Sequence, residues 1–171
     1  MKWSVDTMFK RFKFLSALSA LFLSITVLLA GCGGSSVPYK KDDTYIDSQD
    51  YFIKVTAEDE WRVKGYQNHE AIYKVEPMEE YKGDSYSVIS ITLKEKITDT
   101  DPWLMKTSSE YYILTPTEKG FNSVYMGSSH PNDTQWKKFK KEYEKTSDKE
   151  GFLKKEFDNG KKTLKKFKKT N

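Results

Sequence analysis

Cys32 is the one cysteine in a chain of 171 residues. Its thiol therefore has no disulfide partner within the chain, and its chemistry is that of a lone nucleophile. It closes the stretch Leu29-Ala30-Gly31-Cys32, whose small residues leave room for an enzyme to work at the Gly31–Cys32 bond. The other reactive side chains are sparse. His69 and His130 are the two histidines, and neither has a second ligand at metal spacing, so no metal site is expected. Glu79-Glu80 reads as a solvated loop, and Asp99 with Asp101 reads as a helix cap, so neither is expected to work as an acid–base pair. Asp99-Thr100-Asp101 lacks the glycine and distal glutamate of a calcium loop. Beyond Gly33-Gly34 the glycines are scattered singly, which leaves no phosphate cradle. The inventory predicts a non-catalytic protein with no metal or cofactor.

The elements around Cys32 give it a purpose. A basic cluster (Lys10, Arg11, Lys13) precedes an apolar run from Phe14 to Leu29, interrupted by Ser16, Ser19, Ser24 and Thr26. That run is shorter than the roughly 20 apolar residues of a spanning helix and has the order of a secretory signal. Met8 is an alternative start, since it opens directly on the basic cluster. With the small residues and Cys32 after it, the segment resembles the lipobox of bacterial lipoproteins. The resemblance implies signal cleavage between Gly31 and Cys32 and a diacylglyceryl group on the Cys32 sulfur. Palmitate-type acyl chains would then hold the protein on the extracytoplasmic face of the cell membrane, where two or more chains anchor firmly.

Charge divides the mature chain. Residues 32–135 carry net −7, whereas residues 136–171 carry 14 lysines against 6 acidic groups, net +8. Such a split predicts a surface role for the basic segment. Lys137, Lys138, Lys140, Lys141, Lys161, Lys162, Lys165 and Lys166 are the candidate contacts to anionic headgroups or wall polymers. Nucleic acid is not expected as a partner.

Patterning gives an α+β expectation, in four segments: a signal peptide over 1–31, a flexible tether over 32–50, an antiparallel-sheet body over 51–135 and a basic helical segment over 136–171. Tyr51, Ile53 and Val55, then Trp61 and Val63, then Ala71, Tyr73 and Val75 alternate with more polar neighbours, as half-buried antiparallel strands do. Tyr86–Leu93 reads as a central strand. Tyr111–Leu114 and Phe121–Met126 read as a hairpin whose turn takes a positive φ at Gly120. Asp101 and Pro102 predict a short helix start, with one helix over 101–114 as an alternative. Trp136, Phe139 and Tyr143 fall at helical spacing, and Ser147-Asp148-Lys149-Glu150 matches a capping box that opens a second helix. Asp158-Asn159-Gly160 ends it, and Leu164 and Phe167 are expected to line one further turn before a frayed tail. Phe52–Val55, Trp61-Arg62-Val63 and Ile89-Ser90-Ile91 resemble the opening of the PsbP/Mog1-like family. The usual proline before the tryptophan and that family's later strands are missing, and no functional residue is carried over.

These readings predict a lipid-anchored binding protein at the outer face of the membrane, one concrete form being immunity or exclusion against an arriving peptide or protein. A cell-wall or lipid hydrolase is the enzymatic alternative. Gly83-Asp84-Ser85 resembles the Gly-Asp-Ser block of one esterase class, but without a strand-to-helix elbow or an Asp-x-x-His partner. A third reading takes Ser24–Gly31, which resembles the apolar octapeptides released from some lipoprotein signals as mating pheromones.

Overall fold

The computed structural model describes residues 37–105 and 108–171. The signal peptide, Gly31 and Cys32 lie outside the described residues. The α+β expectation is overturned: the chain forms a closed, eight-stranded antiparallel barrel in which each strand pairs with the next and the last pairs with the first. The strands are β1 (Thr44–Ile46), β2 (Phe52–Ala57), β3 (Glu60–Lys64), β4 (Glu70–Lys82), β5 (Ser87–Lys96), β6 (Glu110–Thr117), β7 (Gly120–Ser128) and β8 (Lys165–Lys169). Two helices, α1 (Gln135–Lys145) and α2 (Lys149–Asn159), lie between β7 and β8.

Alternation makes the barrel. Tyr45, Ile53, Val55, Trp61, Val63, Tyr73, Val75, Ile89, Leu114, Phe121 and Phe167 are buried in one cluster, the barrel interior. Their odd-even neighbours point outward. On β5, β6 and β7 that outward face is apolar too: Val88, Ile113, Val124 and Met126 form a second core with Trp136, Phe139, Tyr143, Leu153 and Phe157 of the helices. The C-terminal apolar residues are therefore spent on covering one side of the barrel. Bulges between Ile72 and Tyr73, Pro77 and Lys82, and Glu110 and Tyr112 supply curvature for closure.

Two further expectations change with the architecture. Residues 37–50, assigned to the tether, are ordered: Tyr39 is buried edge-on against Trp61 at 4.9 Å, and β1 pairs with β2 over Thr44–Ile46. Residues 165–169, expected as the end of a helical tail, are the closing strand. Phe167 stacks on Phe121 at 4.5 Å, and Lys169 bridges Asp43 at 2.5 Å. One inward phenylalanine and paired backbone suffice for a short strand whose other residues are lysines. Sheet closure leaves no exposed edge.

The helix expected from Asp101 is also absent. Its carboxylate accepts from the amides of Trp103 (3.0 Å) and Met105 (2.6 Å), and Leu104 N–H reaches Asp101 O at 3.1 Å, which makes a turn. Tyr73 also donates to Asp101, so the capping residue ties a loop to the barrel wall. At the second helix the cap is Asp148, which accepts from Gly151 N at 2.8 Å. Glu150 turns away from the box and accepts from Asp84 N at 2.9 Å, pinning the β4–β5 hairpin.

Candidate site at the barrel mouth

Up-and-down order puts the connections at two ends. The base holds the β2–β3 and β6–β7 turns, residues 37–43 and the C-terminus; Asp42 and Asp43 pair with Val55, and Lys169 N–H reaches Lys119 O. The mouth holds the β1–β2, β3–β4, β5–β6 and β7–β8 connections. From the β5–β6 connection Trp103 enters the barrel, 4.5 Å from the ring of Tyr73 and 6.4 Å from that of Trp61. Asp101 fixes the turn that delivers it.

Beneath Trp103 lies a small space lined by Trp61, Ile89, Ile91, Trp103, Tyr112, Leu114, Ser123, Lys165 and Phe167. Its free volume is about 10 Å³, room for one water-sized group. Lys165 is the sole charged residue in this lining, with its ammonium 5.2 Å over the Trp103 ring. Burial pulls that ammonium below the usual lysine range, while Asp47 and Glu110 pull it back up. Glu110 accepts from Tyr112; Asp47 accepts from the amides of Gln49 (2.8 Å) and Tyr51 (3.0 Å). Burial, with Glu110 beside it, pushes the Tyr112 phenol far above its ordinary value, so it remains a neutral donor. The indole N–H groups of Trp61 and Trp103 are both buried without a hydrogen-bond partner among the described residues. Since buried donors are normally paired, the space is an apolar box with a surplus of donors.

The rim is apolar as well. Ile46, Phe52, Tyr66, Ile97 and Leu104 are the large hydrophobic side chains left exposed among the described residues, and all five sit on connections or strand ends at the mouth. Ile46 and Phe52 face each other in register across β1 and β2. Leu104, at 74% exposed, adopts a positive φ of 52°. Adjoining exposed apolar residues, as Ile46 and Phe52 are, mark contact surfaces more often than residues scattered singly do.

The other sequence-derived candidates separate. Lys137, Lys138, Lys141, Lys161, Lys162 and Lys166 are exposed; Lys140 lies 5.9 Å from the Trp136 ring, and Lys161 pairs with Asp158 at 2.7 Å. Lys165 is the exception, turned inward in phase with Phe167. With Phe167 the one apolar residue among four lysines in Lys165–Lys169, the sequence shows no alternation that would mark Lys165 as inward. Ser85 meets no histidine; its amide and that of Asp84 face Glu150. His130 lies near Ser128 and Asp133, but the connections are those of a turn. Asp133 accepts directly from Ser128 Oγ (2.9 Å), Tyr125 Oη (3.0 Å) and Gln135 N (2.9 Å), while His130 Nδ1 accepts from Asn132 N. The histidine does not bridge serine and carboxylate, as a nucleophilic triad requires. Among the described residues no group of three or more metal-ligating side chains converges.

Comparison with known proteins adds two findings. The model of a family described as "Family of unknown function (DUF5512)" matches residues 31–171. An uncharacterised protein of Bacillus anthracis is 63% identical over 165 residues, which cover 96% of this chain and 100% of the relative. No solved structure matches.

Proposed function

Given that the chain belongs to the DUF5512 family, whose description assigns no activity, we propose that it is a non-catalytic, lipid-anchored binding protein of the outer membrane face that meets its ligand at the barrel mouth. The observation that carries the binding part is that the five large hydrophobic side chains exposed among the described residues gather at one end of the barrel. The resemblance of residues 10–32 to a lipoprotein signal supports the anchor. Val37, the first described residue, packs against the barrel core and leads into Tyr39 at the base. It follows Cys32 by five residues, a covalent span of at most about 18 Å. The exposed lysines of α1, together with Lys162 and Lys166, are available to anionic headgroups or wall polymers, at about 1 kcal/mol for each basic group close to such a surface.

Metabolic labelling with a fatty-acid analogue tests the anchor. Wild-type protein takes up label and sediments with membranes, whereas Cys32→Ala takes up none and remains as precursor or is shed. Equal labelling of the two would overturn the proposal.

A further inference from the structure

We infer that the space beneath Trp103 is a recognition site for a carboxylate or other carbonyl-type oxygen carried on an apolar body, with Lys165 and the indole N–H groups of Trp61 and Trp103 as its donors. The inference rests on the mouth being the binding face and specifies what enters it. Trp61 is 1% exposed and lines the space, yet its N–H has no partner; Trp103 lines it from above in the same condition. Lys165 brings three further N–H donors into the same lining, with no hydrogen bond or ion pair described for them. Of the acceptors nearby, Glu110 is engaged by Tyr112 and Oδ1 of Asp47 by two backbone amides, while Asp47 Oδ2, which is buried without a hydrogen-bond partner among the described residues, does not line the space.

A box built of donors selects an acceptor. The space is also small: about 10 Å³ holds one oxygen-sized group, so a single oxygen of the ligand enters it. The rest of the ligand must then lie outward, along Trp103 and towards the apolar rim at Leu104 and Ile97. Fatty acids and the free C-termini of apolar peptides share this chemistry.

The test uses the mature lipidated chain in phospholipid nanodiscs, read by tryptophan fluorescence and by saturation-transfer NMR of the probe. The probes are hexanoate, hexanamide, 1-hexanol and hexylamine, and acetyl-Ala-Leu with a free or an amidated carboxyl. Hexanoate binds most tightly, hexanamide next, and hexylamine not at all. A preference for hexanoate over the free-acid peptide identifies a fatty acid as the source, and the reverse order identifies a peptide terminus. Lys165→Met, which keeps the length and apolar stem of the side chain, weakens hexanoate at least tenfold and leaves 1-hexanol unchanged. Trp103→Phe, which keeps the plug and removes one donor, weakens both oxygen ligands severalfold. Equal binding of acid, alcohol and amine, failure of every probe to bind, or full hexanoate affinity in a folded Lys165→Met protein would each overturn the inference. None of these results touches fatty-acid labelling at Cys32, so the anchor stands or falls separately.

Discussion

Gly120→Ala is the sharpest test of barrel closure. Gly120 opens β7 at φ +141°, in the turn after β6, where it pairs with Lys168 of the closing strand. A Cβ added there would sit 2.0 Å from the carbonyl oxygen of Phe167 and 3.2 Å from the amide of Lys169. The obstacle is backbone, so relief requires β8 to move away from β7. Holding a non-glycine residue at such a φ costs about 1–3 kcal/mol. Displacing β8 also weakens the 2.7 Å bond from Lys169 N–H to Lys119 O and its neighbours, at about 1 kcal/mol each. The sum is about 3–5 kcal/mol. For a domain of this size, that corresponds to a melting temperature lower by about 10–20 °C. Gly83→Ala is the control: its Cβ would meet the Glu150 carboxylate at 1.9 Å, the far end of a flexible side chain that swings aside at the cost of its bond from Asp84 N. Thermal melts followed by far-UV circular dichroism compare the two. A Gly120→Ala protein that melts within 3 °C of wild type would refute the closed seam between β7 and β8.

Deleting residues 165–171 separates a structural strand from a dispensable basic tail: the truncated protein is expected to lose its cooperative melt, and an unchanged melt would argue for a tail. Acid titration of stability probes the base of the barrel. Desolvation alone would raise the Asp43 carboxyl, but hydrogen bonds from Lys169, Tyr45 and the Lys40 amide outweigh it and hold the pKa below its ordinary value. A lowered folded pKa means that the unfolded chain binds the proton first. This stabilisation is therefore present above the ordinary carboxylate range and is lost as pH falls through the lowered folded value. Asp43→Asn should flatten that part of the acid profile, and an identical slope in the mutant would contradict the assignment.

The strands around Ile53, Trp61 and Tyr73 were legible from apolar–polar alternation, those around Ile89, Ile113 and Val124 from their β-branched residues, and the Gly120 turn because few other residues tolerate its φ; the second half of β4 was not, since Glu79-Glu80 reads as a loop yet lies within Glu70–Lys82. The two helices were legible from Trp136, Phe139 and Tyr143 and from the capping-box pattern Ser147–Glu150, although the cap itself is Asp148. Closure was not. β1 is three residues long, and β8 shows one apolar side chain among four lysines, so neither carries a periodic signal strong enough to outweigh composition. Their partners are each other, at opposite ends of the chain, and local pattern says nothing about such pairing. The site was hidden for the same reason. Lys165 reads as one lysine among many until β8 is known to be a strand with Phe167 facing inward. Trp103 looked like a helix start because Asp101 carries a capping side chain, and the same side chain equally well holds a turn.

The seam between first and last strands also fixes when the molecule can finish folding. Thr44 and Thr170 meet through their hydroxyls at 2.7 Å across a separation of 126 residues, and Asn171 reaches Asp42 O at 3.0 Å. Until β8 docks, β1 and β7 each lack a neighbour and offer open hydrogen-bonding edges, the form of sheet most prone to pair with another chain. Contacts of such sequence distance are slow to form. The sheet thus stays an unclosed ribbon until β8 docks, and the strand that closes the barrel is also the one that hides both of its edges.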